Sequence, residues 1–96
     1  MRKVEKVVCG AFVRGERCRR SNTFTDGRSL WLFGNLIARW RRGRIWGTLA
    51  GWNTVTTRSR LNAVATISGG VPVINKRHVP HVRGVEIGDE QFYAIT

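Results

Sequence analysis

Between Asp26 and Leu49, three dipeptide turn signals interrupt strand-like runs at short intervals: Asp26-Gly27, Gly34-Asn35 and Arg42-Gly43. Asp-Gly suits a type I′ turn and Gly-Asn a type II′ turn, because glycine supplies the positive φ that tight hairpin connections require. Two-residue connections leave no room for a crossover, so each run must pair with its sequence neighbour in an antiparallel meander. They also set the register. With Gly34-Asn35 as the turn, Phe33 faces Leu36, Trp31 faces Ala38 and Ser29 faces Trp40; with Arg42-Gly43, Trp40 faces Ile45 and Leu36 faces Leu49. One face then carries Trp31, Phe33, Leu36, Ala38, Trp40, Ile45 and Leu49, and is the predicted core face. The other carries Arg28, Leu30, Leu32, Ile37, Arg39, Arg41, Arg44, Trp46 and Thr48. In this register Arg39 lies across from Trp46, Arg41 across from Arg44, and Arg28 across from Arg41.

After Leu49 the hydrophobic period changes. The run Gly51 to Asn62 offers Thr54 or Thr56 as a cap for a short helix reaching about Ala65, with Leu61, Val64 and Ala65 on the stripe that packs on the sheet. Arg58 and Arg60 flank that stripe on opposite sides and form no basic row, so the helix is a poor major-groove reader. Ser68-Gly69-Gly70 ends the segment. Three short strands follow, Val71 to Asn75, Val79 to Val82 with a turn near Arg83-Gly84, and Phe92 to Ile95, with Pro72 and Pro80 at edges or strand starts. At the other end, Val4 to Val13 is rich in β-branched and aromatic residues and reads as a strand, turned back at Gly15-Glu16 so that Cys18 lies opposite Val13. The fold class expected is a single α+β domain over residues 1–96, an antiparallel β-meander with one short α-helix packed on the sheet.

Two stretches also carry a resemblance. Gly34-Asn35-Leu36-Ile37-Ala38 and Gly51-Trp52-Asn53-Thr54-Val55-Thr56-Thr57-Arg58-Ser59-Arg60-Leu61-Asn62 resemble a group of small tailed-bacteriophage proteins. That group shares Gly-Asn-x-Ile-Ala and Gly-Trp-x-Thr-x-Thr-Thr-x-x-Arg-Leu-Asn. Residues 1–20 lie outside the resemblance. Ala63 to Gly70 departs from it, with Ala-Val-Ala-Thr-Ile-Ser-Gly-Gly where a short Leu-Pro-Gly turn is the pattern. The resemblance implies a phage origin and assigns no activity and no site residue.

Charge narrows the partner. The chain has 17 Lys and Arg against 6 Asp and Glu, a net +11, and 14 of the 17 are Arg. That excess is far beyond what solubility needs and carries a self-repulsion that a polyanion would offset. Arginine's planar fork matches phosphate and stacks on aromatic rings better than lysine does. A basic, aromatic sheet face formed by Arg28, Arg39, Arg41, Arg42, Arg44 and Trp46, with Arg58 and Arg60 nearby, is therefore the candidate site for nucleic acid, DNA or RNA. Arg14, Arg17, Arg19 and Arg20 form a second basic cluster. An acidic host protein, inhibited by a phage host-takeover factor, is the alternative partner; a solvated basic surface is the plain one.

Other chemistries find little support. Cys9, Cys18, His78 and His81 could supply a zinc set, but the cysteines are too far apart for the close pair of a finger and read as free thiols and small core residues. The six acids do not pair around a Ser or His, Asp26 and Asp89-Glu90 suit turns, and there is no phosphate-cradling glycine motif. No enzyme activity and no cofactor is expected. No apolar run approaches the roughly 20 residues of a membrane span, and no signal-peptide pattern opens the chain, so the expected compartment is the host cytoplasm.

Overall fold

A computed structural model describes residues 1–96. The chain opens with a π-helical segment, Glu5–Cys9, that continues into helix α1, Gly10–Arg14. Five strands follow: β1 Arg17–Arg20, β2 Thr23–Asp26, β3 Ser29–Leu32, β4 Asn35–Arg41 and β5 Arg44–Gly47. Helix α2, Val55–Ser68, leads to β6 Val73–Lys76, β7 Val79–Val82, β8 Val85–Glu86 and β9 Tyr93–Ala94. Strands β1 to β5 form a meander, and β9 returns beside β5 to complete a six-stranded sheet; β6, β7 and β8 form a second, three-stranded sheet. Every pairing is antiparallel. The architecture is the α+β meander that the turn spacing predicts. No helix is long and apolar enough to cross a membrane.

Helix α2 begins where the capping pattern puts it. Thr54 is extended, and its Oγ1 accepts the backbone N–H of Thr57 at 3.2 Å, satisfying one of the donors a helix start leaves free. Leu61, Val64 and Ala65 are buried, as their spacing requires. The helix runs past Ala65 to Ser68 because no proline interrupts it; Gly69, in the left-handed region at φ 75°, ends it. Asn62 then acts as a surrogate strand residue. Its amide donates to Val73 O at 3.0 Å and accepts from Val73 N at 2.8 Å, which fastens β6 to the helix.

The segment Val4 to Val13 is helical, not a strand. Glu5, Val8, Cys9 and Phe12 are all buried, and they fall at i, i+3, i+4 and i+7, a helical stripe that outweighs the β propensity of the valines. Gly15, at φ 77°, terminates it, and Cys18 pairs with Thr25 across β1 and β2 instead of facing Val13.

The β3–β4 turn lies one residue earlier than Gly34-Asn35. Phe33 and Gly34 are its central pair, both with positive φ (50° and 79°), and Leu32 faces Asn35. Register then shifts at a bulge: Trp31 faces Leu36, but Leu30 faces Ala38 and Ser29 faces Arg39. The bulge sends both Ile37 and Ala38 inward. In consequence Leu30 and Leu32 belong to the core, Phe33 is 70% exposed, and Trp31 stacks on Phe24 at 5.3 Å on the outer face. Arg28 faces Trp40, whose N–H it accepts, and not Arg41. Asp26-Gly27 is likewise part of a wider loop in which Asp26 Oδ1 accepts the N–H groups of Ser29 and Arg28; these hold its carboxyl below the usual range.

The β4–β5 hairpin keeps the predicted register, with Arg42 and Gly43 as the turn and the pairs Arg41–Arg44, Trp40–Ile45 and Arg39–Trp46. Trp40 therefore turns inward, packs against Phe12, and donates its indole N–H to Phe12 O at 3.0 Å. Trp46 turns outward. Gly47 lies under the returning tail: a Cβ there would come within 2.8 Å of Ile95 Cδ1, so only a bare backbone lets Ile95 and Tyr93 close over β5. The core beneath is Phe12, Leu30, Ile37, Ile45, Leu49, Leu61 and Ile95, all fully buried.

Trp40→Ala removes inward packing and a hydrogen bond, so it is expected to lower unfolding stability by about 3 kcal/mol, and Trp46→Ala by less than half of that. Urea midpoints of the two variants check this; a larger loss at Trp46 would place that ring, not Trp40, against the core.

Candidate functional site

The two faces of the large sheet differ sharply. On the inner face Thr23, Thr25, Leu30, Leu32, Ala38 and Ile45 are buried beneath the helices, whereas nothing on the outer face is fully buried. Cross-strand pairing lays out that outer face in two groups. Towards the Phe33-Gly34 turn, Arg19, Phe24, Trp31 and Leu36 succeed one another across β1 to β4. Arg17 and Arg19 hold their guanidinium carbons 5.3 and 5.0 Å from the Phe24 ring, and the ring stacks with Trp31, so Phe24 is engaged by its own neighbours.

Towards the Arg42-Gly43 turn, Arg39, Arg41, Arg42 and Arg44 join Trp46 and Phe92 around a cleft of about 530 Å³. The unshifted β4–β5 register produces this grouping, and the bulge adds Trp31 and Leu36 to the same face. Arg39 does not stack on Trp46. Its guanidinium carbon lies 4.5 Å from the centre of Phe92, and its Nε is buried without a hydrogen-bond partner. Arg41 and Arg44 stand directly opposite each other, an arrangement of like charges that costs up to about 1 kcal/mol. Arg28 adjoins from the next loop, sharing a shallower depression with Arg41 and Arg42. The two ion pairs of the molecule lie elsewhere, at Arg14–Glu16 and Arg60–Glu5, so none of these five arginines is matched by a carboxylate.

The remaining sequence candidates disperse. Arg58 donates to Asn53, which in turn holds Asn75 and the carbonyl of His78, tying α2 to the small sheet. Arg14 pairs with Glu16, and Arg17, Arg19 and Arg20 line the edge strand β1. Arg60 is not an anion site at all: it is 3% exposed. Its Nη1 donates to Glu5 Oε2 at 2.7 Å, its Nε to Thr23 Oγ1 at 3.0 Å and its Nη2 to Asn22 Oδ1 at 3.4 Å. Ser59 Oγ and the N–H of Arg2 donate to the same carboxylate. Burial alone would raise the Glu5 carboxyl, but the hydrogen bonds from Ser59, Arg2 and Arg60, with the Arg60 charge, bring it below its ordinary value. Burial, and then the Glu5 charge, push the nearby Cys9 thiol up to about 12, against the opposing pull of Arg60. Cys9 and Cys18 are both free thiols. No three His, Cys, Asp or Glu side chains gather where they could hold a metal ion.

Two features escaped the sequence. Phe92 enters the cleft from 46 positions beyond Trp46 through the β5–β9 pairing, which no local pattern signals. A second, apolar cavity of about 410 Å³ lies at the opposite end of β4, between Leu32, Phe33, Ile37 and Leu49 on one side and Trp52 and Thr56 on the other. The exposed Phe33 follows from the shifted turn.

A family model described as Kyanoviridae Gp96 protein matches residues 1–95. It takes in the N-terminal helix that the two sequence motifs left out. No curated protein and no solved structure matches the chain.

The buried pair yields a pH dependence. Because the folded value of Glu5 is lowered, its contribution to stability is complete above the unfolded value of about 4.3 and is lost as the pH falls through the folded one. Glu5→Gln should flatten that part of the acid limb, read from unfolding free energies between neutral and acid pH. Arg60→Met should cost about 3 to 5 kcal/mol by leaving the carboxylate buried alone, and adding Glu5→Met should recover much of it. Under native conditions a thiol reagent should modify Cys18 and spare Cys9 until the chain unfolds; rapid modification of both would contradict the burial of Cys9.

Proposed function

The chain belongs to the Kyanoviridae Gp96 protein family, a family of bacteriophage proteins, and we propose that it is an accessory protein that binds nucleic acid, DNA or RNA, inside the infected host cell through the outer face of its large sheet. The observation that carries this reading is the set of four arginines, Arg39, Arg41, Arg42 and Arg44, gathered without a paired carboxylate at one end of an uncovered sheet face, with Arg28 at the adjoining rim. Crowding like charges there opposes folding, and a phosphate backbone both relieves the repulsion and matches the guanidinium forks. The net charge of +11 draws a polyanion to the molecule before any contact forms. Trp46 in the same cleft favours nucleic acid over an acidic protein surface, because a base offers a ring to meet it.

Affinity should fall steeply with salt, with a log–log slope of roughly −3 to −5 for about 4 to 6 phosphate contacts. An affinity that stays flat from low to physiological salt would overturn the reading. The triple replacement Arg39→Ser, Arg41→Ser and Arg44→Ser should leave folding intact or improved and abolish most binding; unchanged binding would move the site to the β1 edge, at Arg17, Arg19 and Arg20. In a pull-down from host lysate the bound material should disappear on nuclease treatment. A protein that stays bound would favour the acidic-partner alternative.

A further inference from the structure

We propose that the arginine cleft takes an unpaired nucleotide, so that the ligand of the outer face is single-stranded; this rests on the nucleic-acid reading above. Three observations lead there. The first is the state of Trp46. Of the aromatic rings on the outer face, Phe24 is stacked between arginine and Trp31, and Phe92 carries the Arg39 guanidinium, but Trp46 lines the cleft, half-buried, with neither a ring nor a guanidinium against it. An indole left open in this way is a place for a flat ring.

The second is the surroundings of that indole. Arg41, Arg42 and Arg44 rim the cleft, and no carboxylate pairs with any of them. A nucleotide brings both missing components at once, a base for the ring and anionic or carbonyl oxygens for the donors. In a duplex the base faces are already stacked on one another, so a duplex could reach the arginines with its phosphates but could not fill the cleft.

The third concerns the shape of the hairpin tip. Major-groove reading needs a helix or a two-stranded ribbon free to enter a groove about 12 Å wide. The β4–β5 hairpin is not free: the Arg28 carbonyl accepts Trp40 N–H on one side, and on the other Thr96 Oγ1 accepts Ile45 N–H at 2.9 Å, one residue after the Arg44 that opens β5. Only Arg41 to Arg44 extend beyond these neighbours. Helix α2 is bound to both sheets and offers no basic row. The surface therefore suits a flexible strand laid along it better than a rod.

The experiment compares a mixed-sequence oligonucleotide of about 12 nucleotides, within the site sizes of single-strand binders, with the same strand annealed to its complement, by fluorescence anisotropy at fixed salt. The single strand should bind at least about 10-fold more tightly, and Trp46→Leu should weaken single-strand binding by about 5- to 100-fold while changing duplex binding little. Trp46→Phe keeps a ring and should restore most of the loss, which separates stacking from mere packing. Equal or tighter duplex binding, or a Trp46→Leu variant that binds single strands as well as wild type, would overturn this proposal and leave the nucleic-acid reading standing. Failure of wild type to bind either form would overturn both.

Discussion

A guanidinium held in the interior governs how the helices sit on the large sheet. Arg60 projects from α2 to the carboxylate of Glu5 in the N-terminal helical segment and to Thr23 and Asn22 at the start of β2. Three elements distant in sequence thus meet at one side chain. Removing two charges from water is costly, and the pair is tolerable because the remaining oxygens and donors are largely occupied, by Ser59, by the Arg2 amide and by Thr23. The Cys9 thiol lies beside the same group and bonds the Arg60 carbonyl, so the polar cluster is sealed by the first helix. An apolar contact of similar size could slide; a fork that meets named partners fixes the rotation of both helices.

This arrangement gives the two sequence motifs a structural meaning. In the longer one, Thr54 caps α2, Arg60 makes the buried pair, Leu61 fills the core and Asn62 holds β6. A motif rich in Arg and Thr invites a binding interpretation, yet most of its polar residues are spent inside the molecule. The basic character of the surface comes from elsewhere, from the β4–β5 hairpin and the β1 edge.

How much of this was legible in the sequence depended on the range of the deciding interaction. Local signals suffice for the α2 cap, the Leu61, Val64 and Ala65 stripe, the Arg42-Gly43 turn and the opposite orientations of Trp40 and Trp46. The N-terminal helix is masked although its stripe of Glu5, Val8, Cys9 and Phe12 is present, because a buried glutamate breaks the apolar pattern and its partner lies 55 positions away. The β3–β4 faces are ambiguous in the sequence for a different reason. Gly34 can occupy either central position of a two-residue turn, and only the bulge at Ile37, which lets Leu30 and Ala38 share the core while Trp31 and Leu36 share the outer face, decides between them. Of the candidate site, the arginines of one hairpin were recoverable; Phe92 was not, since it arrives by a strand that joins the sheet from the far end of the chain.

The Asn62 bridge to Val73 has a bearing on how copies of this protein can meet. An open strand edge is a template on which another chain can add, and molecules with two sheets have several. Here the backbone of β6 at Val73 is already answered by an amide side chain, β8 and β9 are two residues long, and β1 carries Arg17, Arg19 and Arg20 along its free side. Ladder extension is discouraged at each margin. Any assembly is thereby steered towards contacts between faces, which leaves the margins out of the interface and the chain resistant to fibre-like growth.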